Sequence, residues 1–376
     1  MVRVALLALL LSSSHGVMFN NSLPMTDAHM GTILDCADGS IQLFEGRWYM
    51  TCMSYGLCQA PLPHGCDTTP DECGFRLDHN ISTFSSPDLS QDSWTFEGFA
   101  LDWTARPQGI VYRPQVVFHP ASGKYILWAN VLHRPLYQGY FTAAGDTPWG
   151  PFTLTNPLVN TTRSGCGDYH VFVDTDPAAT AYLIYTCSHY MGIDRLTADY
   201  MHSDGASSAL FTPYFVEAPF LLQHSGIYYA LFDYCCCYCL QGSGVIVHTA
   251  PHPLGPWTLR NSSLHPDGNI ACVAPPPPSP SGAGLTWAPS LLSPQDTPNQ
   301  GCLYQNHTAR TDTVSVTRSQ QNFIIAMPSG AHVWTGNRWG QSPDGIKGHE
   351  PLAWLPLEFD GQGGLRDMSW VEAFEA

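Results

Sequence analysis

The stretch Gly226-Ile227-Tyr228-Tyr229-Ala230-Leu231-Phe232, preceded by Tyr214-Phe215-Val216-Glu217-Ala218-Pro219-Phe220-Leu221-Leu222, reads as two apolar strands joined at Gln223 to Gly226. An apolar run, a short polar turn and an aromatic-rich return strand are the marks of an inner β-hairpin. Glu217 stands alone in it among aromatic and aliphatic neighbours. A carboxyl that has lost water from its surroundings resists ionisation and holds its proton closer to neutrality. The hairpin puts this residue at a strand start, at the mouth of a sheet. An isolated Glu of this kind more often pairs with an Arg than performs chemistry, so the reading depends on the rest of the chain.

The return strand of that hairpin has counterparts. Similar signals run Gly46-Arg47-Trp48-Tyr49-Met50-Thr51-Cys52, Gly123-Lys124-Tyr125-Ile126-Leu127-Trp128, Thr180-Ala181-Tyr182-Leu183-Ile184-Tyr185 and Gly330-Ala331-His332-Val333-Trp334-Thr335. Between them a second pattern returns, as Trp149-Gly150-Pro151-Phe152-Thr153-Leu154 and Leu254-Gly255-Pro256-Trp257-Thr258-Leu259. Two strand types recurring at intervals of tens of residues predict a radial repeat of small sheets, an all-β, five-bladed β-propeller. A double β-sandwich is the alternative, but it gives no reason for the Gly-Pro-aromatic pattern to return in phase. Two stretches interrupt the repeat. The loop from Leu57 to Asp78 carries Cys58, Cys66 and Cys73 and is expected to be bridged. The segment at about 261–310, with Pro275-Pro276-Pro277-Pro278 and many Ser, Gly and Asn residues, reads as an irregular surface insertion.

Composition agrees with this architecture. The 376 residues are 44% hydrophobic and 12% aromatic, ample for a buried core, while 33 Gly and 31 Pro suit short strands and tight turns. Fifteen Lys and Arg against 31 Asp and Glu leave a formal net charge of -16, a field that repels phosphate backbones and anionic lipid heads. Nucleic-acid and membrane partners are therefore not expected. Residues 1–16 combine Arg3, an apolar run from Val4 to Leu11 and small residues to Gly16. That is the form of a secretory signal peptide, too short to span a bilayer, and it predicts a secreted domain over 17–376. Asn-x-Ser/Thr sequons at Asn20, Asn80, Asn160, Asn261 and Asn306 fit that compartment if they lie on surface loops. The 13 cysteines should then be mainly disulfides, with at least one left over. The run Cys235-Cys236-Cys237-Tyr238-Cys239 could be a metal-thiolate site. Vicinal cysteines in an oxidising compartment more often join different bridges, and no second cluster has zinc-ligand spacing, so neither metal nor cofactor is expected.

Read blade by blade, the chain resembles glycoside hydrolase family 43, five-bladed propeller glycosidases, and within it the branch of exo-β-1,3-galactanases. The resemblance covers nearly all of 17–376. Ala28-His29-Met30-Gly31-Thr32-Ile33-Leu34 loosely matches that branch's blade-one turn, and Tyr112-Arg113-Pro114-Gln115-Val116 its blade-two Glu-Arg-Pro-Lys-Val. Gly165-Cys166-Gly167-Asp168 and Phe172-Val173-Asp174 match blade three, and Val216-Glu217-Ala218-Pro219 matches blade four. Ser319-Gln320, Gly336-Asn337-Arg338-Trp339 and Trp354-Leu355-Pro356-Leu357 match blade five. Each tetrapeptide is weak alone; one per blade, in order, is strong.

The resemblance implies a secreted glycosidase acting on galactan-like or related polysaccharide by inversion. It makes Glu217 the general acid and Asp168 the residue that tunes and orients it. In most of the family a blade-one Asp directs water to the opposite face. The matching turn here offers His29 and Met30 but no carboxylate, so, as in the galactanase branch, Gln320 is expected to position water. His29, Tyr112, Arg113, Tyr169, Asn337, Arg338 and Trp339 are the expected substrate-binding residues, with Trp103, Tyr169 and Trp339 available to stack on a sugar face. Tyr112 stands where the branch has a sugar-binding Glu, Thr32 replaces a Gly and Asn337 an Asp. The missing base and Tyr112 define the competing reading, a catalytically silent propeller that binds carbohydrate. Retention of both Asp168 and Glu217 favours the enzyme.

Overall fold

The computed structural model describes residues 16–59, 73, 76–133, 136–212, 216–234, 244–261 and 317–376. After a short strand β1 (Met18–Asn20), antiparallel sheets follow one another along the chain in sequence order. Blade one is β2 (Ala37–Phe44), β3 (Arg47–Ser54), β4 (Asn80–Ser86) and β5 (Thr95–Leu101). Blade two is β6 (Ile110–His119), β7 (Lys124–His133), β8 (Tyr137–Gly145) and β9 (Thr153–Asn156). Blade three is β10 (Cys166–Val173), β11 (Ala181–Cys187), β12 (Tyr190–Leu196) and β13 (Ser203–Ser207). Blade four is β14 (Val216–His224), β15 (Ile227–Tyr234), β16 (Ile246–Ala250) and β17 (Thr258–Asn261). Blade five is β18 (Gln320–Ala326), β19 (His332–Asn337) and β20 (Leu352–Leu357), and a last strand β21 (Ala373–Glu375) pairs with β1. The fold is the five-bladed β-propeller that the repeat predicted. Among the described residues there is no α-helix, and no helix is long and apolar enough to cross a membrane.

Each aromatic signal becomes the second strand of a blade, β3, β7, β11, β15 or β19. These strands lie between neighbouring blades, so both faces are covered and the apolar character is continuous rather than alternating. Trp128, Tyr185, Tyr229 and Trp334 are fully buried there. The opening hairpin is tighter than expected. Strand β14 pairs as far as His224↔Ile227, leaving Ser225 and Gly226 as a two-residue turn with φ of 50° and 78°. Positive φ at both central residues is the type I′ turn, whose twist suits adjoining strands. The two Gly-Pro-aromatic patterns lead into β9 and β17, the outermost strands of blades two and four.

Every innermost strand carries a bulge. The register against the second strand shifts between Ala37 and Ser40, Tyr112 and Gln115, Cys166 and Tyr169, Glu217 and Phe220, and Gln321 and Ile324. A bulge turns side chains out of strict alternation and is a common device beside active sites. At three of them a residue other than glycine takes a left-handed backbone, with φ of 52° at Asp38, 51° at Arg113 and 52° at Ala218.

Polar side chains of these strands join one blade to the next. Ser40 Oγ donates to the carbonyl of Pro114 at 2.8 Å. The Gln115 amide donates to Val171 O and accepts from Val171 N–H, both at 2.8 Å. His170 Nδ1 accepts from Leu221 N–H, and Gln321 Nε2 donates to the carbonyls of Ala218 and Leu231. Asn322 Nδ2 donates to Gly39 O at 2.6 Å, returning from blade five to blade one. The β1–β21 pair adds a second closure, from Met18↔Glu375 to Asn20↔Ala373.

Disulfides join Cys36 to Cys52, Cys58 to Cys73 and Cys166 to Cys187, so the 57–78 loop is bridged. Of the sequons, Asn160 is exposed, whereas Asn20 and Asn80 are half-buried on strands β1 and β4 and Asn261 ends β17. Residues 1–15, Cys66, Cys235 to Cys239, residues 262–310 and Asn306 lie outside the described residues, and the expectations for them are left there.

Candidate active site

The bulges of blades one to four turn a ring of polar residues toward the propeller axis. Arg113, on β6, is its hub. The side chain is buried, and its Nε lies 3.4 Å from Asp168 Oδ1 on β10. The guanidinium donates to the carbonyls of Gln321 and Asn322 on β18, while the Arg113 backbone N–H donates to Asp38 Oδ2 on β2 at 2.9 Å. Burial opposes the charge on Arg113, but Asp168, Asp38, Asp233 and Glu217 around it more than offset that cost and hold its pKa above the ordinary value.

Glu217 is the second residue of β14 and its side chain is partly open to solvent. Gln320 Nε2 donates to Glu217 Oε2 at 3.3 Å, and Gln320 Oε1 accepts from the Trp339 indole N–H at 2.8 Å. His189, in the turn between β11 and β12, puts Nδ1 3.6 Å from Glu217 Oε1. Burial lowers the His189 pKa, with Asp168 opposing, so near neutrality this contact is polar rather than ionic. Asp168 Oδ2 accepts from the N–H of Ala218, the residue after Glu217, at 3.1 Å. One carboxylate thus reads Arg113 on one side and the backbone of the acid's neighbour on the other.

Asp233 is directly opposite Glu217 across the β14/β15 pair and is fully buried. Its Oδ2 accepts from Gln321 N–H at 2.9 Å. Burial pushes its pKa well up, with Glu217 and Asp168 adding to the shift and Gln321 N–H and Arg113 opposing it. A carboxyl that keeps its proton more readily than usual eases the cost of setting Asp233 and Glu217 face to face across the hairpin.

The structure corrects the reading of blade one. His29 is exposed on a turn beside the outermost strand β5, where Ala28 N–H donates to Trp94 O and Asp27 Oδ1 accepts from the N–H groups of His29 and Met30. The strand that faces the axis is β2, and it does carry a carboxylate, Asp38. Its Oδ1 accepts from Asn337 Nδ2 of blade five. Burial, with Asp168 adding to it, raises Asp38 to about 6 against the pull of Arg113, the Arg113 N–H and Asn337. The sequence signal was Asp38-Gly39 near the head of strand β2, but the match to the turn Ala28-His29-Met30-Gly31 drew attention away from it.

Other expected residues divide. Arg113, Asn337 and Trp339 belong to the central group, and Tyr112 is half-buried against the cluster of Ala37, Met53, Tyr55 and Trp339. Tyr169 is buried in the core between Trp128 and Tyr140, with no face for a sugar. Arg338 donates to Gln341 and to Asn21 O and lies 5.4 Å from the Trp370 ring, so it ties the closing strands together. Trp103 sits on a short turn after β5, outside the group. Asp38, His189 and Asp233 are the central residues that sequence reasoning missed. Among the described residues no cluster of His, Cys, Asp and Glu could hold a metal ion.

Comparisons with known proteins bear on the fold that carries this site. Among curated proteins there is no significant match. Of solved structures, an exo-β-1,3-galactanase from Phanerochaete chrysosporium, a variant solved with β-1,3-galactotriose, is 18% identical, with a TM-score of 0.66 over 96% of this chain and 68% of that one. A β-1,3-galactosidase, BT3683, solved with galactodeoxynojirimycin is 18% identical, with a TM-score of 0.63 over 94% of this chain and 99% of its own. An exo-β-1,3-galactanase from Clostridium thermocellum is 19% identical, with a TM-score of 0.64 over 95% and 66%. This chain therefore spans about two thirds of the length of the two galactanases and nearly all of the galactosidase. The sequence profile of glycosyl hydrolases family 43 matches residues 35–269. That match takes in blades one to four, more than half of the chain, and with the propeller it makes this protein a member of glycosyl hydrolases family 43.

Proposed function

We propose that this chain is a secreted, inverting glycosidase acting on β-1,3-galactan or a related galactose-containing saccharide. The observation that carries the reading is the meeting of Asp38, Asp168 and Glu217, from three different blades, around the Arg113 side chain and backbone. Inversion needs an acid on the leaving oxygen and a base that takes a proton from water on the opposite face. Glu217 is the acid, and Asp38 takes the base role that the family gives to a blade-one Asp. A carboxyl held near 6 is well matched to accept a proton near neutral pH. Asp168 orients the acid through the Ala218 N–H and Arg113. Gln320, expected to place water as in the galactanase branch, is here assigned to hold Glu217, which its Nε2 contacts directly.

Galactose is proposed from the likeness to the structures solved with β-1,3-galactotriose and galactodeoxynojirimycin. Tyr112, half-buried, would present aromatic surface where the galactanase branch has a sugar-binding Glu, favouring ring stacking over hydroxyl recognition. Secretion is supported by the N-terminal pattern of residues 1–16 and by the three disulfides. The silent-binder reading rested on the missing base and on Tyr112; the blade-one carboxylate of Asp38 weighs against the first of these.

The test is Glu217→Gln assayed on β-1,3-galactobiose and on a dinitrophenyl β-galactoside, with product anomers followed by NMR. The amide should cost about 10²- to 10⁴-fold on the disaccharide, whose leaving group needs a proton, and much less on the activated aryl glycoside. The first sugar product should be the α-anomer. Equal turnover of the disaccharide by both proteins would overturn the acid assignment, and a β-anomer would overturn inversion.

A further inference from the structure

Behind the Gln320–Glu217 contact lies an ion pair that the chemistry above does not use. Lys347 opens the short turn Lys347–His349 and is 1% exposed. Its Nζ contacts Glu350 Oε2 at 2.6 Å, while Glu350 Oε1 accepts from Gly340 N–H at 2.6 Å. The same ammonium sits 4.2 Å from the centre of the Trp339 ring. The backbone beneath is fixed, since Lys347 N–H donates to Cys58 O at 2.9 Å next to the Cys58–Cys73 disulfide.

A buried ion pair is weak evidence of a stability role, because desolvating two charges costs much of what their attraction returns. Its placement suggests another use. The indole of Trp339 donates to Gln320 Oε1, which forces the Gln320 amide to turn its NH₂ toward Glu217. With the opposite amide orientation the Trp339 indole N–H would lose its acceptor and the Gln320 carbonyl would face Glu217. A cation against the indole face polarises the ring, fixes its plane and strengthens its N–H as a donor.

We propose that Lys347, anchored by Glu350, is a positioning residue for the reaction: it locks the Trp339 indole, and through Trp339 and Gln320 sets the orientation of the Glu217 carboxyl. The inference rests on the assignment of Glu217 as the acid. It involves no bond making by Lys347, which is walled off from the axis by the indole.

The test uses Lys347→Met with Glu350→Gln, which removes both charges of the pair together. Lys347→Arg, which retains a cation able to stack, is the conservative partner, and Trp339→Phe keeps the ring but deletes the N–H. The double variant should lose about tenfold in kcat/KM on β-1,3-galactobiose, chiefly in kcat, and change by less than about twofold on the dinitrophenyl galactoside. Lys347→Arg should restore most of the loss. Trp339→Phe should lower kcat/KM on β-1,3-galactobiose at least as much as the double variant does, and adding it to the double variant should cost little more than Trp339→Phe alone, because both changes cut one chain of contacts. A second readout is independent of turnover: the indole ¹⁵N–H resonance of Trp339, assigned by its absence in Trp339→Phe, should shift in the double variant. An unmoved resonance, or equal loss on both substrates, would overturn the proposal. If Glu217→Gln discriminates between the substrates and the Lys347 variants do not, the positioning role falls and the acid stands. Wild-type turnover of galactobiose by Glu217→Gln would remove the acid assignment itself, and this role with it.

Discussion

In blade two, strand β7 pairs with β8 in unbroken register from Tyr125↔Gly145 to His133↔Tyr137, whereas its pairing with β6 is interrupted between Tyr112 and Gln115. The regular side is made of Ile126, Leu127, Trp128 and Ala129, all buried. The irregular side holds Arg113 and Gln115, also buried but bonded to other blades. The contrast separates two tasks. Continuous apolar strands hold the sheet together, and the bulged strand beside them gives up a ladder position to aim polar groups at the axis. Altering the irregular strands should therefore injure the reaction more than the fold, and altering the regular strands the reverse.

The largest expected effect tests the irregular side. Asp38→Asn should lower kcat on galacto-oligosaccharides by about 10³-fold or more if Asp38 is the base. In the wild type the rate should fall as the pH drops through about 6, where Asp38 takes up a proton. The same group gives a stability test with a definite sign. The folded value of about 6 is above the ordinary 3.8, so the native state binds the extra proton across that window. Stability should fall as pH rises from about 4 to 6, and Asp38→Asn, which does not titrate, should flatten that slope in urea titrations. A steeper slope would place the charge elsewhere.

Next in size is the regular side. Trp128 is fully buried in the cluster with Val171, Leu183 and Tyr185, and its indole N–H donates to Tyr200 O. Trp128→Ala should cost about 3–5 kcal/mol in chemical denaturation while the surviving folded protein keeps near-normal KM. A joint between blades comes third. Gln115→Ala strands the Val171 N–H and carbonyl that the amide clasps and should cost about 1–3 kcal/mol, with a smaller loss of kcat. Least of all, Lys124→Ala removes an exposed pair with Asp146 and should change the midpoint by no more than about 0.5 kcal/mol.

The same contrast explains what the sequence showed. Strands buried on both faces are written as aromatic and aliphatic runs, so all five second strands could be seen and the propeller followed. Glu217 drew attention because a lone carboxylate interrupts such a run, whereas Asp168 was singled out only through the family resemblance at Gly165-Cys166-Gly167-Asp168. Asp38 was passed over because the bulge that turns it inward leaves no periodic mark, and because the match rested on His29, which is exposed on a turn beside the outermost strand. Asp233 was hidden within an apolar strand, and His189 in a turn; both reach Glu217 only through pairing that folding creates. Tyr169 erred the other way, an aromatic beside Asp168 that the alternation sends into the core.

The clasps between blades have a consequence of geometry. In a closed ring the angles between successive sheets must sum to one full turn, so an error at one joint cannot stay local and is shared among the rest. Asp38, Arg113, Asp168, Glu217 and Gln320 each stand on a different inner strand; four of these strands also carry the clasp side chains Ser40, Gln115, His170, Gln321 and Asn322, and the fifth, with Glu217, is clasped through Leu221 N–H and Ala218 O. The distance across the centre between acid and base is then fixed by all the joints at once. A residue far around the circumference can detune the spacing, and one tightened joint can restore it.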